Sequence, residues 1–139
     1  MKRVTSLGGV FFKTQDPEKM KAWYDRHLGI PAGKYGTTFE WMKTDKPTQK
    51  GFTAWSLFAQ KSTYFQPSEK EFMVNYRVEN LPDLLIELKK EGVQIIGEMM
   101  EESYGKFAWI MDPEGNKIEL WEPNDDDYEK IVGPKIEST

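Results

Sequence analysis

The feature that most constrains this fold is an internal repeat, in which two helix patterns with similar surroundings lie about 64 residues apart. The first pattern spans residues 15–29 and the second spans residues 80–92. Each begins at a residue that can cap a helix, Asp16 or Asn80, and apolar side chains then recur at helical spacing until a glycine. Two copies at this spacing predict a duplicated domain half rather than a solenoid array.

Strand-like runs flank both helix patterns in the same order. Residues 9–14 and 73–78 precede the helices and carry small or apolar residues at alternate positions, and the runs 52–60 and 116–123 follow them. The segment DPEGN before the last run predicts a turn, because proline presets one backbone angle and glycine or asparagine accepts a left-handed one. Each half is therefore predicted to be a strand, a helix and several further strands.

The length of 139 residues fits one domain. We place that domain at residues 1–123, with module one at about 4–62 and module two at about 70–123. Residues 124–139 hold three consecutive aspartates and few apolar side chains. Such a composition predicts a solvated, acidic C-terminal extension.

Composition excludes several classes of function. The net charge is −4 and the acidic tail carries most of it, so the nearly neutral body has no basic run that would bind nucleic acid or an anionic membrane surface. The absence of cysteine excludes thiolate nucleophiles, disulfides and zinc–thiolate sites. The N-terminal stretch lacks the apolar segment and cleavage site of a secretion signal, which predicts a cytoplasmic protein.

Alternation along the strands predicts which side chains share a surface. In KIELW, the apolar Ile118 and Leu120 are expected to face a helix, which leaves Lys117, Glu119 and Trp121 on the other side. The same parity adds further residues to that second face: Ala54, Ser56, Phe58, Met73, Asn75 and Arg77. A face that mixes polar and aromatic groups is typical of a ligand cleft.

The segment DPEGNKIELWEP resembles the closing hairpin of the vicinal oxygen chelate superfamily, which contains glyoxalase I, extradiol dioxygenases and the bleomycin and fosfomycin resistance proteins. The resemblance covers about residues 4–123. It implies an α+β fold of two tandem βαβββ modules that curl around a cleft, often within a homodimer. In metal-dependent members, ligands come from the first and last strands of each module; those places in this chain are Gly9, Ser56, Met73 and Glu119.

Among these four places, only Glu119 has a side chain of a usual ligand type. The single histidine, His27, falls in the last turn of the first helix, where interaction with the helix C-terminus is its expected role. We therefore expect no metal cofactor. The alternative is a divalent magnesium or manganese ion held by Glu119 with water, backbone oxygens and a carboxylate such as Glu40 or Glu102.

Glu119 is also the one catalytic candidate, as metal ligand or as general base. A structural ion pair with Arg77 or Lys117 is the alternative role.

Arg77 could hold a carboxylate or phosphate of a ligand, or form a structural ion pair. The parity of the strands leaves the directions of Trp41 and Trp109 open. The predicted ligand-binding residues are Phe11, Ser56, Phe58, Asn75, Arg77 and Trp121, whose aromatic members could equally be core residues.

Three functions remain compatible with the sequence, and it leaves open whether the chain is an enzyme. The first is a glyoxalase or bleomycin resistance-like protein that binds a small molecule in a cleft without the usual histidine ligands. The second is a lyase, isomerase or dioxygenase that uses Glu119. The third is a non-catalytic interaction module, and a cleft filled by its own aromatic side chains would favour it.

Overall fold

The computed structural model describes residues 2–137, which form one mixed sheet of eight strands together with three helices. The strands lie in the order β5-β6-β7-β4-β1-β3-β2-β8. The predicted α+β class is confirmed. The elements are, in chain order, β1 (Val4–Thr14), α1 (Pro17–Leu28), β2 (Thr37–Met42), β3 (Lys50–Ala59), β4 (Phe72–Val78), α2 (Leu81–Lys90), β5 (Ile95–Glu102), β6 (Gly105–Met111), β7 (Lys117–Pro123), α3 (Asp125–Ile131) and β8 (Lys135–Glu137).

The two modules share the order of a strand, a helix and further strands, and they meet in the middle of the sheet. In module one β1 pairs in parallel with β3, and in module two β4 pairs in parallel with β7. The antiparallel pair of β1 and β4 joins the modules. Within residues 2–137, three strands follow the helix of module two but only two follow the helix of module one. The C-terminal strand β8 pairs with β2 at that edge.

The helices begin and end where capping chemistry allows. The carboxylate of Asp16 accepts a hydrogen bond from the Lys19 backbone N–H, and the amide oxygen of Asn80 accepts one from the Asp83 backbone N–H. Gly29 ends α1 in the left-handed conformation at φ 67°. The capping residues expected from the sequence are therefore confirmed.

The apolar core of module two lies between the sheet and α2. Its buried members are Val78, Leu81, Leu84, Ala108 and Leu120, with Ile118 packed against them. Ile118 and Leu120 thus face α2, as strand parity predicts. On the same side of module one, Tyr24 of α1 contacts Phe12 and Trp55. The opposite surface, called here the cleft face, carries Phe11, Phe58, Met73, Asn75 and Glu119.

Residues 124–137 are folded against the sheet rather than solvated as predicted. Tyr128 of α3 lies within hydrogen-bond distance of Thr38, at 3.1 Å between the hydroxyl oxygens, and its ring contacts Phe52 and Trp121. The Pro134 carbonyl accepts a hydrogen bond of 2.8 Å from the Thr37 hydroxyl. The expectation failed because a few aromatic and backbone contacts anchor a segment that is acidic on average. The last two residues of the predicted extension lie outside the described residues.

In the part of the chain that the structure describes, no helix is both long and apolar enough to cross a membrane.

Candidate functional site

Strand register brings the polar residues of the cleft face together. Asn75 of β4 lies directly opposite Glu119 of β7, and Trp109 of β6 lies opposite Glu119 on its other side. Because paired residues on adjacent strands point to the same face, the three side chains converge. The direction of Trp109, which sequence parity left open, is therefore towards Glu119.

Glu119 is a buried carboxylate that accepts three hydrogen bonds; it is only 3% exposed. Asn75 Nδ2 donates to Oε1 at 2.6 Å, and Trp109 Nε1 donates to Oε2 at 2.9 Å. The hydroxyl of Tyr64 donates a short hydrogen bond to Oε2 as well. These donors replace the water that the carboxylate loses on burial. Neither ion-pair partner predicted for Glu119 is among them.

An aromatic box surrounds this carboxylate. The Tyr64 ring is stacked on Phe58, with centroids 5.6 Å apart and planes 15° from parallel. It meets Trp109 edge-on at 6.3 Å. Phe11 contacts Phe58 at 5.7 Å between centroids, and the fully buried Phe65 contacts Phe58 at 5.1 Å. The predicted residues Phe11, Phe58, Asn75 and Glu119 therefore belong to one cluster.

Lys117 lies at the edge of the box. Its ammonium group donates a 2.8 Å hydrogen bond to the Tyr64 carbonyl and lies 5.4 Å from the Tyr64 ring centroid and 5.6 Å from that of Trp109. Burial lowers the pKa of Lys117, and the nearby Glu119 charge opposes that effect. Burial also raises the pKa of the Tyr64 hydroxyl, and the Glu119 charge and hydrogen bond raise it further.

Tyr64 and Phe65 are the site residues that sequence reasoning missed. They lie in residues 60–71, which form neither helix nor strand and separate the two modules. No periodic pattern marks them. The one available signal is an aromatic pair within an otherwise polar segment, KSTYFQPSEKE. A polar linker has little reason to carry two adjacent large rings unless they are buried elsewhere.

Arg77 organises a second cluster on the cleft face and is 3% exposed. Its guanidinium lies 5.1 Å from the Trp41 ring and 5.3 Å from the Trp121 ring. Nη2 contacts Asp125 Oδ2 at 2.7 Å, and Nη1 donates to the Phe52 carbonyl at 3.3 Å. The predicted residues Arg77 and Trp121 are thus neighbours, and the partner of Arg77 is a carboxylate of the C-terminal segment.

Ser56 and His27 contact residues outside these two clusters. The Ser56 hydroxyl donates to the Tyr35 carbonyl at 2.8 Å. His27 is in the last turn of α1, with its ring 5.0 Å from the Trp23 ring. The role at the helix C-terminus remains the prediction for His27, and ligand binding remains the prediction for Ser56.

The four family positions for metal ligands do not fit a divalent ion in this chain. Gly9 has no side chain, the Ser56 hydroxyl is bonded to Tyr35, and Met73 is fully buried beside Phe11 and Phe65. Both oxygens of Glu119 already accept hydrogen bonds. Among residues 2–137, no three histidine, aspartate or glutamate side chains are grouped to hold a metal.

The fold and site define a class of protein in which two duplicated α+β modules share a sheet with a polar and aromatic cleft face. The chain belongs to the Glyoxalase/Bleomycin resistance protein/Dioxygenase superfamily, whose family model matches residues 7–120. The resemblance drawn from the closing hairpin is therefore confirmed. No curated protein matches the sequence significantly.

Solved structures show the same fold. A Streptomyces coelicolor methylmalonyl-CoA epimerase variant in complex with 2-nitronate-propionyl-CoA superposes with a TM-score of 0.64 at 11% identity, covering 87% of this chain and 99% of that chain. The Mycobacterium tuberculosis methylmalonyl-CoA epimerase gives 0.54 at 21% identity, covering 86% and 89%. The Mn(II)-bound glyoxalase from Novosphingobium aromaticivorans gives 0.61 at 14% identity, covering 100% of this chain and 44% of that chain.

Proposed function

We propose that this protein binds a small aromatic molecule over Glu119, through ring stacking and a hydrogen bond to the carboxylate rather than through a metal. The observation that carries the proposal is the position of Tyr64. A loop side chain occupies the cleft as a ligand would, with its ring between aromatic residues and its hydroxyl on Glu119.

The chemistry of the box defines the ligand class. Phe58 offers a face for stacking, and Trp109 meets the Tyr64 ring edge-on, which are the two favourable arrangements of aromatic pairs. The Glu119 carboxylate accepts hydrogen bonds, so the ligand must carry an O–H or N–H group. A planar ring with one such donor reproduces every contact that the Tyr64 side chain makes with Phe58, Trp109 and Glu119.

Tyr64 can leave the site without breaking regular structure. It lies in residues 60–71, outside every helix and strand, and its side chain is 39% exposed at the mouth of the box. Loops of this kind open at low free-energy cost compared with strands of the sheet. Displacement of Tyr64 would expose the Glu119 carboxylate while Asn75 and Trp109 continue to bind it.

The proposal is tested by titration with 2-naphthol, a neutral ring with one donor, followed by tryptophan fluorescence. We expect saturable binding that Glu119→Gln weakens by about tenfold or more, the effect of losing a charged acceptor. Tyr64→Ala is expected to strengthen binding because it removes the competing ring. The matched controls are Glu114→Gln and Tyr35→Ala, which alter exposed residues outside the cleft.

The same titration separates this proposal from the other two functions. A 2-methoxynaphthalene control lacks the donor and is expected to bind more weakly. If neither the wild type nor Tyr64→Ala binds 2-naphthol, the small-molecule proposal is wrong and the self-filled cleft favours an interaction module. A measurement of metal content completes the test, since stoichiometric metal that Glu119→Ala loses would overturn binding without a metal.

Catalysis is the second candidate, and the position of the Glu119 carboxylate within the aromatic box favours it. A carboxylate within hydrogen-bond reach of a bound molecule is suited to accept a proton from it. Solvent deuterium exchange into a bound ligand, followed by NMR, tests this role. Exchange that Glu119→Gln abolishes, while ligand still binds, would establish Glu119 as a general base.

A homodimer in the cytoplasm is also part of the proposal. Exposed apolar side chains on α1, with Trp23 at 49% and Leu28 at 60% exposure, favour self-association. Light scattering after gel filtration measures the mass directly. A monomer at micromolar concentration would contradict the dimer.

A further inference from the structure

We propose that Arg77 forms a carboxylate-binding site for ligands with a flat apolar group. In the free protein the Asp125 side chain fills this site, and a ligand can displace it. This site lies on the cleft face but is separate from the Glu119 box. The proposal stands on its own contacts and does not depend on the function proposed for Glu119.

Arg77 is built into a preformed recognition site. It is 3% exposed, and the rings of Trp41 and Trp121 lie 5.1 and 5.3 Å from its guanidinium. The Phe52 carbonyl accepts a further hydrogen bond from Nη1. Aromatic contacts hold the planar group in one orientation, and a guanidinium so held is suited to bind a carboxylate through two parallel hydrogen bonds.

Asp125 binds this site with only one of its two carboxylate oxygens. Its Oδ2 accepts from Arg77 Nη2 at 2.7 Å and from Lys43 Nζ at 3.0 Å. Its Oδ1 is buried and, within residues 2–137, has no hydrogen-bond partner. A buried acceptor left unpaired costs free energy, so a carboxylate that used both oxygens would bind better than the resident one.

The element that supplies Asp125 is short. Helix α3 spans seven residues, Asp125–Ile131, and Tyr128 supplies its aromatic contacts with the sheet. A short helix of this kind is expected to open more readily than the central strands. Occupancy of Arg77 by Asp125 is therefore a local equilibrium that a ligand can shift.

Space for a ligand lies beside Asp125. One cavity of about 670 Å³ and another of about 630 Å³ both reach this residue, and the second is also lined by Arg77. Residues that line both cavities are Lys43, Glu122, Pro123 and Asp125. Each volume lies in the range of small-molecule pockets, and Trp41 supplies an aromatic wall.

Phenylacetate is the probe for this site, because it carries a carboxylate and a ring but no donor for Glu119 at neutral pH. The experiment uses the full chain, with binding measured by calorimetry for the wild type, Asp125→Asn and Asp126→Asn. Asp125→Asn removes the resident charge and keeps the side-chain size. Asp126→Asn makes the same change at an exposed neighbour that lines the first cavity but has no contact with Arg77.

We expect Asp125→Asn to bind phenylacetate about tenfold more tightly than the wild type, a difference typical of one charged hydrogen bond. Asp126→Asn is expected to match the wild type. Arg77→Lys in the Asp125→Asn background should lose that gain, since an ammonium cannot form the paired hydrogen bonds. Hydrogen exchange of α3 in the wild type should rise on addition of phenylacetate.

The proposal is overturned if Asp125→Asn, with an unchanged circular dichroism spectrum, binds phenylacetate no more tightly than the wild type. Equal gains in Asp125→Asn and Asp126→Asn would also overturn it, because they would show a general charge effect. Failure here leaves the 2-naphthol test unaffected, since that probe has no carboxylate for Arg77.

Discussion

A buried carboxylate is destabilising unless hydrogen-bond donors replace its water, and at Glu119 each donor comes from a different part of the fold. Asn75 comes from β4, Trp109 from β6 and Tyr64 from the segment between the modules. The charge of Glu119 therefore links both neighbouring strands and the loop. A change at any donor is expected to affect the stability of the native state as well as ligand binding.

Removal of the Asn75 donor should show this coupling. We expect Asn75→Ala to lower the free energy of unfolding by about 2 kcal/mol, because a hydrogen bond to a buried charge is lost. Urea denaturation at neutral pH measures the change. In a Glu119→Gln background the same substitution should cost less, since the charge is gone. A loss below about 0.5 kcal/mol in the wild-type background would contradict the assigned role.

Gly8 packs against the same asparagine. A Cβ atom at this position would overlap Asn75 Oδ1 and crowd Cγ of Arg77 at 3.1 Å. We expect Gly8→Ala to cost about 1–3 kcal/mol of stability, the usual cost of overpacking. Gly133→Ala is the matched control, because nothing lies within 4 Å of the added atom. Equal denaturation midpoints for the two variants would contradict the predicted overlap.

At the residue scale, strand parity was sufficient to place Asn75, Arg77 and Glu119 on one face, because side chains alternate strictly along a strand. It could not reveal that Tyr64 binds Glu119 or that Asp125 binds Arg77. Both come from segments without strand periodicity, and their positions depend on tertiary contacts. Periodicity therefore predicted the cleft face but not its occupants.

At the scale of elements, the C-terminal segment shows how composition can mislead. Three aspartates predict solvation, yet Asn124 caps α3 through the Asp127 backbone N–H, and acidic residues are favourable in the first turn of a helix. Strand β8 then pairs with β2, at the edge of the module that has two strands after its helix. The pattern of residues predicts the duplication but not this asymmetry, because a three-residue strand is too short to show alternation.

Tyr128 is the main anchor of this segment. We expect Tyr128→Ala to release α3 and β8 while the rest of the sheet stays folded, because its ring contacts and its hydroxyl contact with Thr38 are lost. Limited trypsin digestion should then cleave at Lys130 and Lys135 about tenfold faster than in the wild type, since cleavage follows local opening. Tyr35→Ala, at a side chain that is 83% exposed, is the control. Unchanged cleavage rates would show that other contacts hold the segment.

At the scale of the whole molecule, the tyrosines link stability to alkaline pH. Burial raises the pKa of Tyr64 and Tyr128 above the ordinary value of 10.0, and burial does the same for Tyr104. Above pH 10 the unfolded chain loses these protons while the native protein retains them. Their stabilisation is complete below pH 10 and is lost as the pH rises through the native values.

We therefore expect the free energy of unfolding to decrease above about pH 10. In Tyr64→Phe this free energy should decrease less steeply with pH than in the wild type. Lys117 acts in the opposite direction: its pKa is lowered, so its burial becomes less costly as the pH approaches the ordinary value of 10.5. Because the variant retains Lys117, comparing it with the wild type at each pH isolates the Tyr64 contribution. Urea titrations from about pH 8 to pH 11, with tyrosinate absorbance as a second signal, make that comparison. Parallel curves of unfolding free energy against pH for the two proteins would mean that the Tyr64 hydroxyl ionises as freely in the native state as in the unfolded chain. Tyr64 would then not be hydrogen-bonded to Glu119.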